Sequence, residues 1–302
     1  MGSFIGVSQI ELAPDRFNNC IHGYASKFRL EQARPAPVKR AWNPGAVVSM
    51  KKALTLIMVL VISRPVTAET TSVTMQAADG ITVYGEVYTA PGVPKSAPLI
   101  LLFHQGGGDS RGEYSPLVPR LLDEGYNLVA IDQRRGGDRF AGLNRTLASA
   151  GNRTFTYCDV LQDLEAALAF AREYGFTGKT AAWGSSYSAA LIFELGVDHP
   201  DGIDALVAFS PASGEPMAGC MPETYSSQVT QPVLALRPIR EMEVPYVPGQ
   251  MKLFEDQGHR VYVADPGVHG SSMLNEERVG ASTEETWAVV LSFLTESLST
   301  QE

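Results

Sequence analysis

Alternating and continuous runs of apolar residues divide most of the chain into short strands separated by longer helical segments. SVTMQAA at 72–78 and ITVYGEVYT at 81–89 alternate apolar with polar positions on either side of Asp79-Gly80, which predicts a β-hairpin. PLILLF at 98–103 is apolar throughout, as expected of a strand buried on both faces. Further strands are predicted at 127–132, 180–183, 205–210, 232–237 and 260–265.

Segments with helical spacing lie between these strands. They are predicted at 113–124, 159–174, 187–198, 249–257 and 283–298. Repeated strand–helix units after a hairpin predict an α/β protein with a mostly parallel, doubly wound sheet and no large lid domain. Ligands of such sheets bind at the carboxyl ends of the strands, so the loops that follow strands are the places to look for chemistry.

The first 68 residues resemble a leader ahead of the folded domain. Lys51 and Lys52 precede an apolar run at 53–63, which is too short for a comfortable membrane span. Val66-Thr67-Ala68 fits a cleavage site, so residues 50–68 are predicted to be a secretory signal peptide. Residues 1–49 are interpreted as a start-site overcall or disordered leader. The alternative is a real extension with a membrane-anchoring segment.

Composition and charge narrow the class of protein. With 302 residues, 44% of them hydrophobic, the chain can form one sizeable core, predicted as a single domain over residues 69–302. Residues 1–68 contain nine Lys/Arg and three Asp/Glu, so the mature chain keeps 15 basic and 30 acidic residues, a net charge of −15. That charge argues against nucleic acid and anionic membranes as partners. We expect an exported protein, periplasmic or extracellular, with no stable membrane anchor after signal cleavage.

The stretch WGSSYSA at 183–189 lies where a strand turns into a helix. A nucleophilic serine in such a tight turn needs small residues two positions before and two positions after it. Ser186 meets this requirement with Gly184 and Ser188, whereas Ser185 would place Trp183 and Tyr187 there. Ser186 is therefore the predicted nucleophile, and the alternative is a helix start rich in capping serines.

The loop FHQGGGDS at 103–110 follows the apolar strand 98–103. Its glycines allow backbone N–H groups to approach a ligand closely, as an acyl-transfer enzyme needs for its oxyanion. The predicted donors are the N–H groups of Gly106 and of Tyr187, the residue after the nucleophile, with Gln105 next in line. His104 is predicted to orient this loop or to contact substrate rather than to act as a base. The alternative is a flexible glycine loop.

A base and an acid are predicted in the two loops near the C-terminus. His269 follows the last strand in a short Gly-flanked loop, and of the five histidines only it and His104 lie at the carboxyl edge of the sheet. A carboxylate must fix the tautomer of that imidazole and should follow the penultimate strand. Glu241 is the predicted acid because of its spacing to Pro245, with Glu243 as the alternative.

The order Ser186, Glu241, His269 along the chain resembles the α/β-hydrolase superfamily over residues 72–298. In its compact size the chain most resembles the dienelactone-hydrolase-type branch of that superfamily. The stretch HQGGGDSRGEY is also similar to small bacterial esterases and to the catalytic domains of prolyl-oligopeptidase-like peptidases. The sequence departs from the common pattern at Gln105, at Ser188 where most members have Gly, and in using Glu as the acid.

This resemblance implies a serine hydrolase that cleaves carboxylic esters of small molecules through an acyl-enzyme. The alternatives are a serine peptidase acting on small peptides and a non-catalytic binding protein on the same fold. No cofactor is expected, because the sequence contains no clustered Cys/His metal site, no GxGxxG and no P-loop. Nothing in it indicates an oligomeric state.

The loop after strand 127–132 is rich in arginine. It contains Arg134, Arg135, Arg139, Arg145 and Arg153 but a single acid, Asp138. Arg135, nearest the strand end, is the candidate to bind a substrate carboxylate. The alternative is that these arginines pair with the surplus acids of the protein.

Two cysteines remain in the mature chain, Cys158 and Cys220, and both lie in long loops after strands. In the implied fold the two loops arch over Ser186 from opposite sides. A Cys158–Cys220 disulfide is predicted, and it would limit how wide the pocket opens. The alternative is a pair of separate buried thiols.

Overall fold

A computed structural model of the protein describes residues 69–299, and the predicted leader and signal peptide lie outside the described residues. These residues form a twisted eight-stranded sheet with the order β1-β2-β4-β3-β5-β6-β7-β8. The strands are β1 (Glu69–Gln76), β2 (Thr82–Thr89), β3 (Leu99–Phe103), β4 (Asn127–Asp132), β5 (Thr180–Ser185), β6 (Ala205–Phe209), β7 (Val233–Pro238) and β8 (Arg260–Ala264).

The hairpin and the parallel part of the sheet are both as the sequence predicts. β1 and β2 are antiparallel to each other, and β2 is antiparallel to β4 with Tyr84 opposite Asp132. From β4 to β8 every neighbouring pair is parallel. The predicted fold class, a mostly parallel doubly wound sheet with an N-terminal hairpin and no large lid, is confirmed.

Helices cover both faces of this sheet. They are α1 (Ser110–Tyr114), α2 (Val118–Asp123), α3 (Arg145–Ala150), α4 (Leu161–Glu173), α5 (Tyr187–Asp198), α6 (Pro222–Tyr225), α7 (Val247–Asp256), α8 (Glu276–Val279) and α9 (Glu284–Leu298). Among the described residues, no helix is long and apolar enough to cross a membrane.

The helix predicted over 113–124 is in fact two helices, α1 and α2. It begins earlier because the Asp109 side chain caps it by accepting a hydrogen bond from Gly112 N at 2.9 Å. It is interrupted at Pro116, which has no N–H to donate and whose ring crowds the preceding turn. The short helix α3 was not predicted, and the Asn144 side chain caps it through Leu147 N.

The core lies on the two faces of the sheet, and β3 divides its side chains between them. Leu99, Leu101 and Phe103 belong to the cluster that includes α4 and α5, whereas Ile100 and Leu102 belong to the cluster that includes α2 and α9. All five side chains are fully buried. This double burial explains why the strand has no polar face, and it makes β3 a rigid support for the loop at its carboxyl end.

Buried ion pairs attach the loop after β4 to the rest of the domain. Arg134 binds Asp163 of α4 at 2.7 Å and also pairs with Asp79 of the hairpin turn. Arg145 binds Asp132 at 2.7 Å and Glu86 of β2 at 2.8 Å. Two of the five arginines in this loop are therefore structural, as the alternative interpretation predicted for them.

Candidate active site

Ser186 occupies the turn between β5 and α5 in a strained backbone conformation. Its φ of 63° and ψ of −117° lie in a region that residues with a side chain rarely adopt. Ser185 and Tyr187 on either side are buried, whereas Ser186 is half-buried. A Cβ on Gly184 would lie 2.5 Å from Ser188 O and 2.6 Å from Ala189 N, so only glycine fits there. The turn therefore presents the Ser186 hydroxyl at the carboxyl edge of the sheet.

The hydrogen bonds of Ser188 give a reason for a serine at this position, where most members of the similar family have glycine. Its hydroxyl donates to the His104 carbonyl oxygen at 2.6 Å and accepts from Gln133 Nε2 at 2.6 Å. All three side chains are buried. The hydroxyl thus joins the first turn of α5 to the glycine loop after β3 and to the loop after β4.

Two backbone N–H groups near Ser186 are free to bind an oxyanion. Within residues 69–299, neither Gly106 N nor Tyr187 N donates a hydrogen bond to a protein group. A Cβ on Gly106 would lie 3.7 Å from the Tyr187 ring, which places the two residues side by side. Gln105 is different, since its N–H donates to Glu113 Oε2 at 2.7 Å. The Gln105 N–H, named as a further oxyanion donor in the sequence prediction, is thus already engaged, and that role stays a prediction.

His104 is fully buried and holds the glycine loop. Its Nε2 accepts a hydrogen bond from Gln133 N at 2.9 Å, so the ring proton is on Nδ1, which donates to Gln105 O at 2.9 Å. The imidazole has no exposed surface. Its contacts are those of a loop-orienting residue, and the predicted contact with substrate stays a prediction.

Glu241 and His269 lie in contact at the same edge of the sheet. Glu241 Oε1 is 2.5 Å from His269 Nδ1 and accepts from Ser210 Oγ at 3.1 Å. Burial raises the pKa of Glu241, but the hydrogen bonds and positive charges of His269 and Arg237 outweigh it and hold that pKa below its ordinary value. Glu243 is exposed, and the acid that bonds His269 is Glu241. Of the two predicted acids, the structure brings Glu241 to the histidine.

The loop that carries His269 packs against the residue before Ser186. Ser271 N donates to Ser185 Oγ at 3.0 Å, and Gly270 N donates to Ser210 Oγ at 3.1 Å. Trp183 Nε1 of β5 donates to Ser271 Oγ at 2.8 Å. These bonds bring the histidine loop to the serine turn. The Ser186 hydroxyl itself makes no hydrogen bond to residues 69–299.

Arg135 differs from its ion-paired neighbours. It has no acidic partner among the described residues, and its guanidinium lies 4.5 Å from the centre of the Tyr157 ring. Tyr157 in turn stacks on Tyr187, with ring centres 4.7 Å apart, and its hydroxyl lies 3.3 Å from the position of a Cβ on Gly106. The Tyr187 hydroxyl donates to Arg135 O at 2.9 Å. Arg135 is thus fixed close to the glycine loop with its charge uncompensated.

Cys158 and Cys220 form a disulfide with their Cα atoms 5.6 Å apart. The bond joins the loop after β4 to the loop after β6, and β4 and β6 flank β3 and β5 in the sheet. The two loops therefore meet across the strands that carry the glycine loop and the Ser186 turn. The predicted pairing is present, and the alternative of separate thiols is wrong.

Two residues of the site were not predicted. Ser210 follows β6 in a left-handed conformation, with φ 52°, and bridges Glu241 and Gly270. Arg237 is an arginine within the apolar strand β7, and it binds Glu241. A charged residue in a strand buried on both faces is a signal that sequence inspection could have used.

One cavity of the described residues lies away from this site. It has a volume of about 450 Å³ and is lined by Thr70, Tyr88, Val118, Leu122 and neighbouring residues, at the opposite edge of the sheet. Among residues 69–299, no three His, Cys, Asp or Glu side chains come together as they would around a metal ion.

Comparison with known proteins agrees with this architecture. A sequence profile of the family described as alpha/beta hydrolase fold matches residues 98–238, and no curated protein sequence matches. An esterase of Pyrococcus furiosus superposes with a TM-score of 0.58 at 19% identity, over 77% of this chain and 94% of that one. A Klebsiella pneumoniae protein assigned to the dienelactone hydrolases gives a TM-score of 0.60 at 15% identity, over 76% and 99%. The acylaminoacyl peptidase of Pyrococcus horikoshii gives 0.59 at 16% identity, over 78% of this chain but 43% of that one.

The sheet order, the strained serine turn and the profile match over residues 98–238 together show that the chain has the α/β-hydrolase fold. Structural similarity at these low identities supports the fold and no particular substrate. The reaction must therefore be argued from the site.

Proposed function

We propose that the protein is a serine hydrolase that cleaves carboxylic esters of small molecules with Ser186, His269 and Glu241 as its triad. The observation that supports this most directly is the Glu241–His269 contact of 2.5 Å, in a loop whose next two residues bond to Ser210 and to Ser185. Acyl transfer needs a nucleophilic serine, an imidazole base and an acid that orients the base. All three residue types lie here at the carboxyl edge of the sheet.

The proposed reaction begins with proton transfer from Ser186. Because Nδ1 of His269 is engaged by Glu241, Nε2 is the nitrogen left to take the hydroxyl proton as Oγ attacks the ester carbonyl. The ester C–O bond then breaks, and the alcohol leaves with the proton from Nε2. Water then attacks the carbonyl of the acyl-enzyme while Nε2 of His269 takes its proton. That proton returns to Ser186 Oγ as the acyl C–O bond breaks and the carboxylic acid is released. Ionised Glu241 stabilises the imidazolium in both halves of the reaction.

In this mechanism the N–H groups of Gly106 and Tyr187 stabilise the tetrahedral oxyanion. Neither N–H has a competing acceptor among residues 69–299, and each such donor is worth roughly 3 kcal/mol of transition-state stabilisation. Tyr187 is the first residue of α5, so the positive end of the helix dipole also favours the developing charge.

The substrate class is proposed from Arg135. A guanidinium held against Tyr157, beside the glycine loop and without an acidic partner, is suited to bind a carboxylate of the substrate. We therefore expect a preference for esters that carry a negative charge a few bonds from the scissile carbonyl.

A peptidase is the second candidate. It is favoured by the structural similarity to the Pyrococcus horikoshii acylaminoacyl peptidase, although the chain covers 43% of that protein. The same serine, imidazole and oxyanion donors would attack an amide, so substrate preference has to be measured.

Labelling and turnover separate these possibilities. A fluorophosphonate probe should label the wild type and the control Ser282→Ala, which removes an exposed hydroxyl, but should not label Ser186→Ala. Turnover of p-nitrophenyl acyl esters of graded chain length should exceed that of aminoacyl p-nitroanilides. Preference for the anilides would support the peptidase. Absence of labelling in the folded wild type would leave a non-catalytic binding protein.

The protein is further proposed to act outside the cytoplasm. The disulfide is typical of an oxidising compartment, and the sequence at 50–68 has the pattern of a signal peptide. Mature protein recovered from the secreting host should begin at Glu69 on N-terminal sequencing. A mature chain that still contains residues 50–68 would contradict the cleavage.

A further inference from the structure

Arg237 is a buried arginine that contacts Glu241 on the carboxylate oxygen not facing His269. It lies in β7 and is 2% exposed. Its Nη1 donates to Glu241 Oε2 at 2.7 Å, and its Nη2 donates to Gln250 Oε1 at 2.5 Å and to the carbonyl oxygen of Pro211. The guanidinium therefore connects the acid to α7 and to the loop after β6.

Arg237 completes the fixation of the Glu241 carboxylate. Oε1 is held by Ser210 and faces His269, and Oε2 is held by Arg237, so both oxygens have a partner. The 3₁₀ turn Ile239–Glu243 that carries the acid buries none of its residues. Met242 of that turn packs against the core, whereas the Glu241 carboxylate is oriented by its hydrogen bonds to Ser210 and Arg237.

We propose that Arg237 is a positioning residue of the triad, which holds Glu241 in the orientation that places Oε1 on His269 Nδ1 and sets the pH range of activity. This inference rests on the proposed function. It assigns the buried arginine a role in turnover rather than in folding alone.

The effect on pH follows from the charges that face Glu241. These are Arg237 from β7 and His269 from the loop after β8. The carboxylate of Glu223 in α6 lies behind them, where it accepts from Gln250 Nε2 at 2.9 Å, and Gln250 in turn accepts from Arg237. The positive charge of Arg237 and its hydrogen bond help to hold the pKa of Glu241 below its ordinary value. Without Arg237, Glu241 should bind a proton more readily, so that activity is lost at a higher pH as the solution is acidified.

The first test compares Arg237→Met with Arg240→Met. Arg240 is exposed and adjacent to Glu241 in the chain, so its loss changes the net charge equally without removing a bond to the acid. In Arg237→Met we expect kcat for a p-nitrophenyl ester to fall about 10- to 100-fold, with KM changed little. The acidic limb of kcat/KM against pH should move up by about half to one unit. Arg240→Met should match the wild type in both.

A double-mutant cycle shows whether Arg237 acts through Glu241. Glu241→Gln alone should reduce kcat by up to about 10⁴-fold. Adding Arg237→Met to that variant should reduce kcat by less than about threefold further, since the carboxylate that Arg237 positions is no longer present. If the kcat losses of the two single variants multiply in the double variant, the inference is overturned. It is also overturned if the acidic limb of the pH profile does not move in Arg237→Met.

A conservative variant keeps the test valid if Arg237→Met does not fold. Lys retains the charge but cannot bond Glu241, Gln250 and Pro211 together, so Arg237→Lys should keep more kcat than Met and a nearly unshifted acidic limb. Wild-type kcat in folded Arg237→Lys would then overturn the inference. A wild type that hydrolyses no ester and takes no fluorophosphonate would instead contradict the proposed function.

Discussion

The hydroxyl of Ser188 donates a hydrogen bond of 2.6 Å to the carbonyl oxygen of His104, and so ties the turn of the proposed nucleophile to the loop of the proposed oxyanion donor. Because the same hydroxyl accepts from Gln133 Nε2, it fixes three loops with one buried atom. A glycine at position 188 could fill the same small space but could not make either bond.

Replacing Ser188 by Ala or Gly should therefore cost both stability and rate. The His104 carbonyl and the Gln133 amide would each lose a buried partner, which should lower the free energy of unfolding by roughly 1–3 kcal/mol in urea denaturation. We expect kcat to fall several-fold because the Gly106 N–H is held less firmly against Ser186. Ser149→Ala, at an exposed position in α3, is the control. A variant with unchanged stability would show that the two hydrogen bonds contribute nothing net.

The Arg135 proposal predicts a difference between substrates. Arg135→Met should raise KM for a p-nitrophenyl hemiester of a dicarboxylic acid about 10- to 100-fold, because a charge-assisted hydrogen bond is lost. Turnover of the matching neutral ester should stay within about twofold of wild type. Arg153→Met, which removes an exposed arginine bonded to Ala150 O, should affect neither substrate. Equal losses on both esters would contradict a carboxylate subsite.

The Cys158–Cys220 disulfide predicts the thiol content and the heat resistance of the mature protein. Thiol titration of denatured, unreduced protein should find no free thiol. Because the bond closes a loop of about 60 residues, Cys220→Ser should lose roughly 4 kcal/mol in the chain-entropy model, or about 10 °C in Tm.

The same variant tests whether the disulfide limits the pocket. We expect the tied loops to restrict the wild type to short acyl chains. Cys220→Ser should relax this preference, because the loops after β4 and β6 are no longer joined. The double variant Cys158→Ser/Cys220→Ser is the matched control and should behave like the single one. A lower Tm with an unchanged chain-length preference would make the disulfide purely structural.

Asp132 predicts how stability depends on pH. Burial raises the pKa of this carboxyl, but hydrogen bonds from Ser110 and Arg145 outweigh it and hold that pKa below its ordinary value of 3.8. The stabilisation is therefore complete above the ordinary value and is lost as the pH falls through the lowered one. Asp132→Asn should be roughly 3–5 kcal/mol less stable at pH 7, since Arg145 loses a buried partner. The gap between variant and wild type should narrow below about pH 4, and a constant gap from pH 7 to pH 3 would refute the assignment.

Local patterns were sufficient for the strands, for the longer helices α4, α5, α7 and α9, and for the class of fold. Strand–helix alternation predicted the order of the elements, because apolar runs and helical spacing are properties of neighbouring residues. The serine turn was equally local, since the space for a Cβ on Gly184 is taken by the backbone of Ser188 and Ala189, only four and five positions further along the chain.

Relations between distant residues could be narrowed from the sequence but not resolved. Glu241 and Glu243 have nearly equal spacing from β7, and only the fold brings one of them to His269. Arg134 and Arg135 are adjacent, yet one is buried against Asp163 and the other is left without an acid, because their side chains leave the chain in different directions. Such outcomes depend on which surfaces meet when the loops pack together. Side-chain partners separated by tens of residues leave no periodic trace in the sequence, so the contacts of Ser188, Ser210 and Arg237 became visible only in the folded chain.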